Sequence, residues 1–122
     1  MLTFHRRTER VNLCRNVHLL FRAPQSGLSV LEGQTSSVNC HGIGIGAKAE
    51  EAIPDGIKVY VFDRTASVGL WSSLKWKAPA SDGRLEMGLE FEQPGIYWPA
   101  DPVPPSWKPY AFGPGFAQAA SA

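Results

Sequence analysis

Three arginines, Arg6, Arg7 and Arg10, stand with His5 inside a six-residue window near the N-terminus, and Glu9 is the only acid among them. A guanidinium is a planar fork of donors. It can clamp a phosphate, stack on a base, or pair bidentately with O6 and N7 of guanine, a contact worth about 1–3 kcal/mol. The second stretch with chemical potential is "TSSVNCHGIGIGA", residues 35–47, where small polar side chains give way to Gly42, Gly44 and Gly46. Ser37 carries a hydroxyl, Asn39 carries both a donor and an acceptor, and each glycine lets another group approach the backbone closely. Cys14, His18, Cys40 and His41 could supply zinc ligands, but their spacing matches no finger or ribbon pattern, so no metal is expected. No serine, histidine and acid trio is locally indicated, and the reading is of a non-enzyme.

Gly42, Gly44 and Ala47 also fit the G-x-G-x-x-[G/A] fingerprint of dinucleotide folds, with Asp63 near the distance of a ribose-binding acid. Context excludes that reading. The fingerprint must leave a hydrophobic parallel strand and open a helix, whereas polar "TSSVNCH" lies upstream and "KAEEAIPDG" offers a helical turn or two before Pro54 and Gly56 end it.

The elements that must position these residues are strands. Val17, Leu19 and Phe21 alternate with His18, Leu20 and Arg22; residues 28–38 form a second extended segment, with Gly33 expected as a bulge. The Gly-Ile alternation of 42–47 puts both isoleucines on one face and the glycines on the other. "GIKVYVF" follows, alternating Ile57, Val59 and Val61 against Lys58, Tyr60 and Phe62, and then "VGLWSSLKWK", in which Leu70, Leu74 and Trp76 fall on one side, opposite Trp71, Ser73 and Lys75. Trp71 and Trp76 are read as core and barrel-surface residues. "RLEMGLEFE" sets Leu85, Met87, Leu89 and Phe91 inward and Arg84, Glu86, Glu90 and Glu92 outward. Six short strands with one helical turn predict a small antiparallel β-barrel. Seven of the ten prolines fall from Pro94 onward, which predicts an irregular segment there. Residues 94–110 are expected to pack on the barrel through aromatics, and 111–122 to be a disordered tail.

Length and composition bound the rest. One domain's worth of chain, 122 residues with 43% hydrophobic and 19% charged, is the composition of a soluble globular protein. A net charge of +1 and the absence of an aromatic-basic stripe argue against nucleic acid as a partner. No apolar run is long enough to span a membrane, and the start lacks the apolar core of a secretory signal. The cytoplasm is therefore the expected location, with both cysteines free.

The order and spacing of "RRTERV", the small-polar motif ending in glycine, the Gly-Ile strand, "PDGIKVYVF", "LWSSLKWK" and "MGLEFEQP" resemble a PilZ domain over most of the chain, from Arg6 to about Trp107. The ending "YWPADPVPPSW" is similar to a subset of that family. The resemblance implies a six-stranded barrel (residues 13–93) behind a flexible basic arm (1–12). It also implies a non-catalytic receptor for cyclic di-GMP, using R-x-x-x-R on the arm and [D/N]-x-S-x-x-G on the barrel. Arg6 and Arg10 match the first motif, with Arg7 between them. At the second, Ser37, Asn39 and Gly42 give S-x-N-x-x-G, so the two polar side chains are exchanged in size. The implied ligand residues are Arg6, Arg7, Arg10, Ser37, Asn39 and Gly42. The implied partners are cyclic di-GMP and a downstream protein, with no cofactor. The alternative is a protein-docking module of the same fold that no longer binds the nucleotide.

Overall fold

The computed structural model describes residues 8–23, 27–48, 53–100 and 102–110. Among the described residues there are seven strands: β1 (Val11–Asn12), β2 (Asn16–Ala23), β3 (Gly27–Val38), β4 (Gly42–Ala47), β5 (Lys58–Asp63), β6 (Val68–Pro79) and β7 (Leu85–Phe91). Neighbours run in the order β1-β3-β2-β5-β6-β7-β4, all antiparallel, and β4 pairs back onto β3. That last pairing closes β2 to β7 into a six-stranded antiparallel barrel, with β1 as one extra strand outside the ring. Closure removes the open edges that an extended sheet of this size would expose.

The inward face is the one the alternation predicts. Val17, Leu19 and Phe21 of β2, Ile43 and Ile45 of β4, Val59 and Val61 of β5, Leu70 and Leu74 of β6, and Met87, Leu89 and Phe91 of β7 are all buried. β-Branched and aromatic side chains fit a pleated, half-buried surface, and their period of two fills the interior while the partners of each pair face outward.

Two β-bulges shift that phase. In β3 the register slips between Thr35 and Ser37, so Ser36 is the extra residue. In β6 it slips between Leu74 and Trp76, so Lys75 is extra. Each bulge turns the residue that follows it to the opposite face from the one simple alternation assigns. Trp76, expected beside Leu70 and Leu74, therefore stands outside the barrel at 44% exposure. The expected bulge at Gly33 is not found. Gly33 is in regular register with Val17 and Ala47, and the Ile45 Cγ2 methyl would lie 2.7 Å from any Cβ there, so the glycine makes room for a core side chain.

Beyond Phe91 the chain crosses one end of the barrel and buries Ile96, Tyr97, Trp98 and Trp107, the last within the 3-10 turn Pro105–Trp107. Asp63 anchors this segment. Its carboxylate, 1% exposed, accepts from Trp98 Nε1 at 3.0 Å, Arg15 Nε at 2.9 Å and the Ala66 amide at 3.1 Å. Burial by itself would push this carboxyl up, but the bonds from Arg15, Trp98 and Ala66 together outweigh it and hold the Asp63 pKa below the ordinary carboxylate value.

The arm expected to be flexible through residue 12 is attached to the barrel from Thr8. Thr8 is buried, its hydroxyl accepting from the Cys40 amide at 3.2 Å, and Val11 and Asn12 pair with Val38 and Ser37. The main chain of Glu9 is gripped by the C-terminal segment: its N–H donates to Ser106 Oγ at 2.8 Å and its carbonyl accepts from Trp107 Nε1 at 2.7 Å. Arg6, Arg7, the tail at 111–122 and most of the expected helical turn lie outside the described residues. Among the described residues, no helix is long and apolar enough to cross a membrane.

Candidate ligand groove

The turn between β3 and β4 is built by Asn39. Its Oδ1 accepts from the amides of His41 at 2.8 Å and Gly42 at 2.9 Å, and its own N–H donates to the Gly42 carbonyl at 3.0 Å. Asparagine favours such turns because its short carboxamide reaches backbone two or three residues on. Nδ2 points the other way and donates to the Thr8 carbonyl at 3.4 Å, tying the arm to the turn. Gly42 is dictated by close packing, since a Cβ there would lie 2.5 Å from the Leu89 carbonyl oxygen.

From this turn a row of paired residues crosses the outer wall of the barrel. Ser37 pairs with Gly44, Gly44 with Gly88, and Gly88 with Trp76, so two glycines lie side by side between a hydroxyl and an indole. The bulges aim both ends of the row. Ser36 and Ser37 bring their hydroxyls over Gly44, at 2.9 and 3.3 Å from where its Cβ would be, and the Trp76 indole lies over Gly88, with Nε1 2.1 Å from where its Cβ would be. The missing side chains at 44 and 88 give the wall a backbone floor.

The resulting groove, of about 170 Å³, is lined by Arg10, Asn39, His41, Gly44, Trp76 and Gly88, with Lys75 and Glu90 at its edge. Lys75 pairs with Glu90 at 3.4 Å, both half-exposed, so the pair is weak and open to exchange with an anion. His41 Nε2 lies 2.9 Å from the Tyr110 hydroxyl, and the rings meet edge to face with centroids 5.0 Å apart. The volume is below the ~300–1,000 Å³ of pockets that engulf a ligand, so the groove is a shallow surface feature.

Of the sequence-assigned residues, the structure brings Arg10, Asn39 and Gly42 to one groove. Ser37 stands at the end of the same row, beside the lining residues. Arg6 and Arg7 lie outside the described residues. Trp76 and Gly88 were not assigned from sequence. Gly88 does carry a signal: it interrupts an outward set of charged residues, Arg84, Glu86, Glu90 and Glu92, at the one place where β7 faces Gly44. Among the described residues, no group of three or more His, Cys, Asp or Glu side chains is placed to hold a metal ion. Comparisons with family models, with curated proteins and with solved structures find no match.

Proposed function

We propose that the chain is a non-catalytic receptor of the PilZ type that binds cyclic di-GMP on the outer wall of the barrel, with the arginine arm closing over the ligand. The observation that carries this reading is the convergence of Arg10, Asn39 and Gly42, up to 32 residues apart in sequence, on one glycine-floored groove beside Trp76. The chemistry suits a cyclic dinucleotide. Arg10 and Lys75 offer charge to the phosphodiesters, and the indole offers a face to a purine, a stacking contact worth about 1–3 kcal/mol per base.

The geometry refines the roles. Gly42 and Asn39 shape the site more than they touch ligand: Asn39 has both ends of its carboxamide bonded within the chain, leaving one Nδ2 hydrogen for a ligand acceptor. Ser37, at the family's carboxylate or carboxamide position, presents its hydroxyl at the end of the glycine row. Amide chemical shifts recorded during titration with cyclic di-GMP test the reading. Shifts concentrated at residues 8–10, 37–44, 75–76 and 88–90 support it; an unchanged spectrum refutes it.

A second reading, a docking module without nucleotide, is favoured by the intramolecular commitment of Asn39. In that reading the partner is met by the barrel wall or by exposed residues of the aromatic segment rather than by Trp98 and Trp107, which are buried at 3% and 1% exposure.

A further inference from the structure

The wall of the barrel opposite the groove carries an apolar surface that the nucleotide reading leaves unused. Among the described residues, five large hydrophobic side chains are exposed, and four of them, Leu28 (66%), Val30 (60%), Trp71 (51%) and Phe62 (36%), lie on this wall. They are ordered by register. Val30 pairs with Leu20, Leu20 with Tyr60 and Tyr60 with Trp71, so a continuous apolar row crosses β3, β2, β5 and β6. Tyr60 and Trp71 meet edge to face at 5.1 Å, and Tyr60 lies over Gly69, where a Cβ would be 2.1 Å from its hydroxyl. The aromatics are thus seated on the wall, and beside them lies an apolar groove of about 580 Å³.

Charge flanks the row unequally. On one side Glu32, 88% exposed, stands next to His18 and Phe62; on the other, Arg22 and Lys58 line the groove. Lys58 is paired with Glu92 at 3.0 Å, and Arg22 has no ion pair among the described residues. We infer that this wall is the interface of a symmetric dimer, covered by the same wall of a second copy of this chain. A two-fold axis lying along the apolar row sets row on row and brings the Glu32 side of each copy over the Arg22 and Lys58 side of the other. Glu32 then lies one strand spacing, about 4.8 Å, laterally from the second copy's Arg22, within reach of both long side chains. The other in-plane choice, an axis along the strands, sets Arg22 against the second copy's Lys58 and is disfavoured by like charge. Self-complementarity of this kind is what an isologous interface requires.

The row follows the curve of the six-stranded ring, so only part of it meets the second copy and the apolar core covers a few hundred Å² at most, less than the ~800 Å² each partner gives to a standard interface. The dimer is accordingly concentration-dependent, with dissociation in the micromolar range or weaker. Analytical ultracentrifugation of the full chain over a concentration series, to millimolar, tests it. The unaltered chain should pass from monomer to dimer. Trp71→Lys should stay monomeric with an unchanged circular dichroism spectrum, since Trp71 packs on the outside of the barrel. Glu32→Arg and Arg22→Glu should each weaken association at least about tenfold, and the double reversal should recover it to within about threefold. A chain monomeric throughout, a dimer that persists in Trp71→Lys, or a double reversal as weak as the single ones would each overturn the proposal.

Discussion

Replacing Asp63 with asparagine removes the charge that joins three parts of the chain while nearly conserving volume. The carboxylate serves Arg15, Trp98 and the turn at Ala66. Asparagine does best by keeping its carbonyl at the Oδ2 position, toward Arg15 Nε and Trp98 Nε1. Its NH2 group then faces the Ala66 amide and Arg15 Nη2, where the lost bonds are 3.1 and 3.4 Å long. Breaking a fully buried ion pair costs about 3–5 kcal/mol; Arg15 is 32% exposed and regains water, so a loss of about 2–3 kcal/mol is expected at neutral pH. The native Asp63 pKa is depressed, so its contribution is fully present above the ordinary carboxylate value and is lost as pH falls through the native value. The gap between the two proteins should therefore close in acid. Urea unfolding followed by tryptophan fluorescence from neutrality down to about pH 3 measures both quantities. A gap below about 0.5 kcal/mol at neutrality, or one that is the same in acid, would refute the role given to this carboxylate.

Cys40 is buried, and burial pushes its thiol up to about 11 against a smaller opposing effect of the Thr8 hydroxyl, whereas Cys14 is exposed. A disulfide-exchange reagent at about pH 8 should modify one thiol per native chain and the second only on unfolding. Asn39→Ala should cost about 1–2 kcal/mol in urea unfolding by stripping the acceptor from two backbone amides, and Asn39→Asp, which keeps the acceptor, should recover most of that. Gly88→Val should displace the Trp76 indole from the groove floor, lowering stability by about 1–2 kcal/mol and cyclic di-GMP affinity at least about tenfold, read by melting and by titration.

Alternation made the barrel legible. Val17, Leu19 and Phe21, Val59 and Val61, and Met87, Leu89 and Phe91 read as inward in sequence and are buried in the structure. The bulges were harder to see, because one extra residue shows only as a phase slip: buried Thr35 is followed by buried Val38, and buried Leu74 by exposed Trp76. That slip is the reason Trp76 was grouped with the core. The attachment of the arm was invisible for a different reason. Thr8 meets Cys40 and Glu9 meets Trp107 across separations that no local pattern encodes. Arg10, Asn39 and Gly42, which line one groove, were singled out by their motif spacing, while Gly44 and Gly88 lie side by side only because β4 and β7 pair in that register.

Isothermal titration calorimetry with cyclic di-GMP, run in parallel on the unaltered chain and on Arg10→Ala, tests the central proposal most directly. Saturable heat is expected for the unaltered chain and an affinity at least about tenfold lower for Arg10→Ala, with both proteins equally folded by circular dichroism. Absence of heat at tens of micromolar protein with the barrel intact, or equal binding by both proteins, would contradict it.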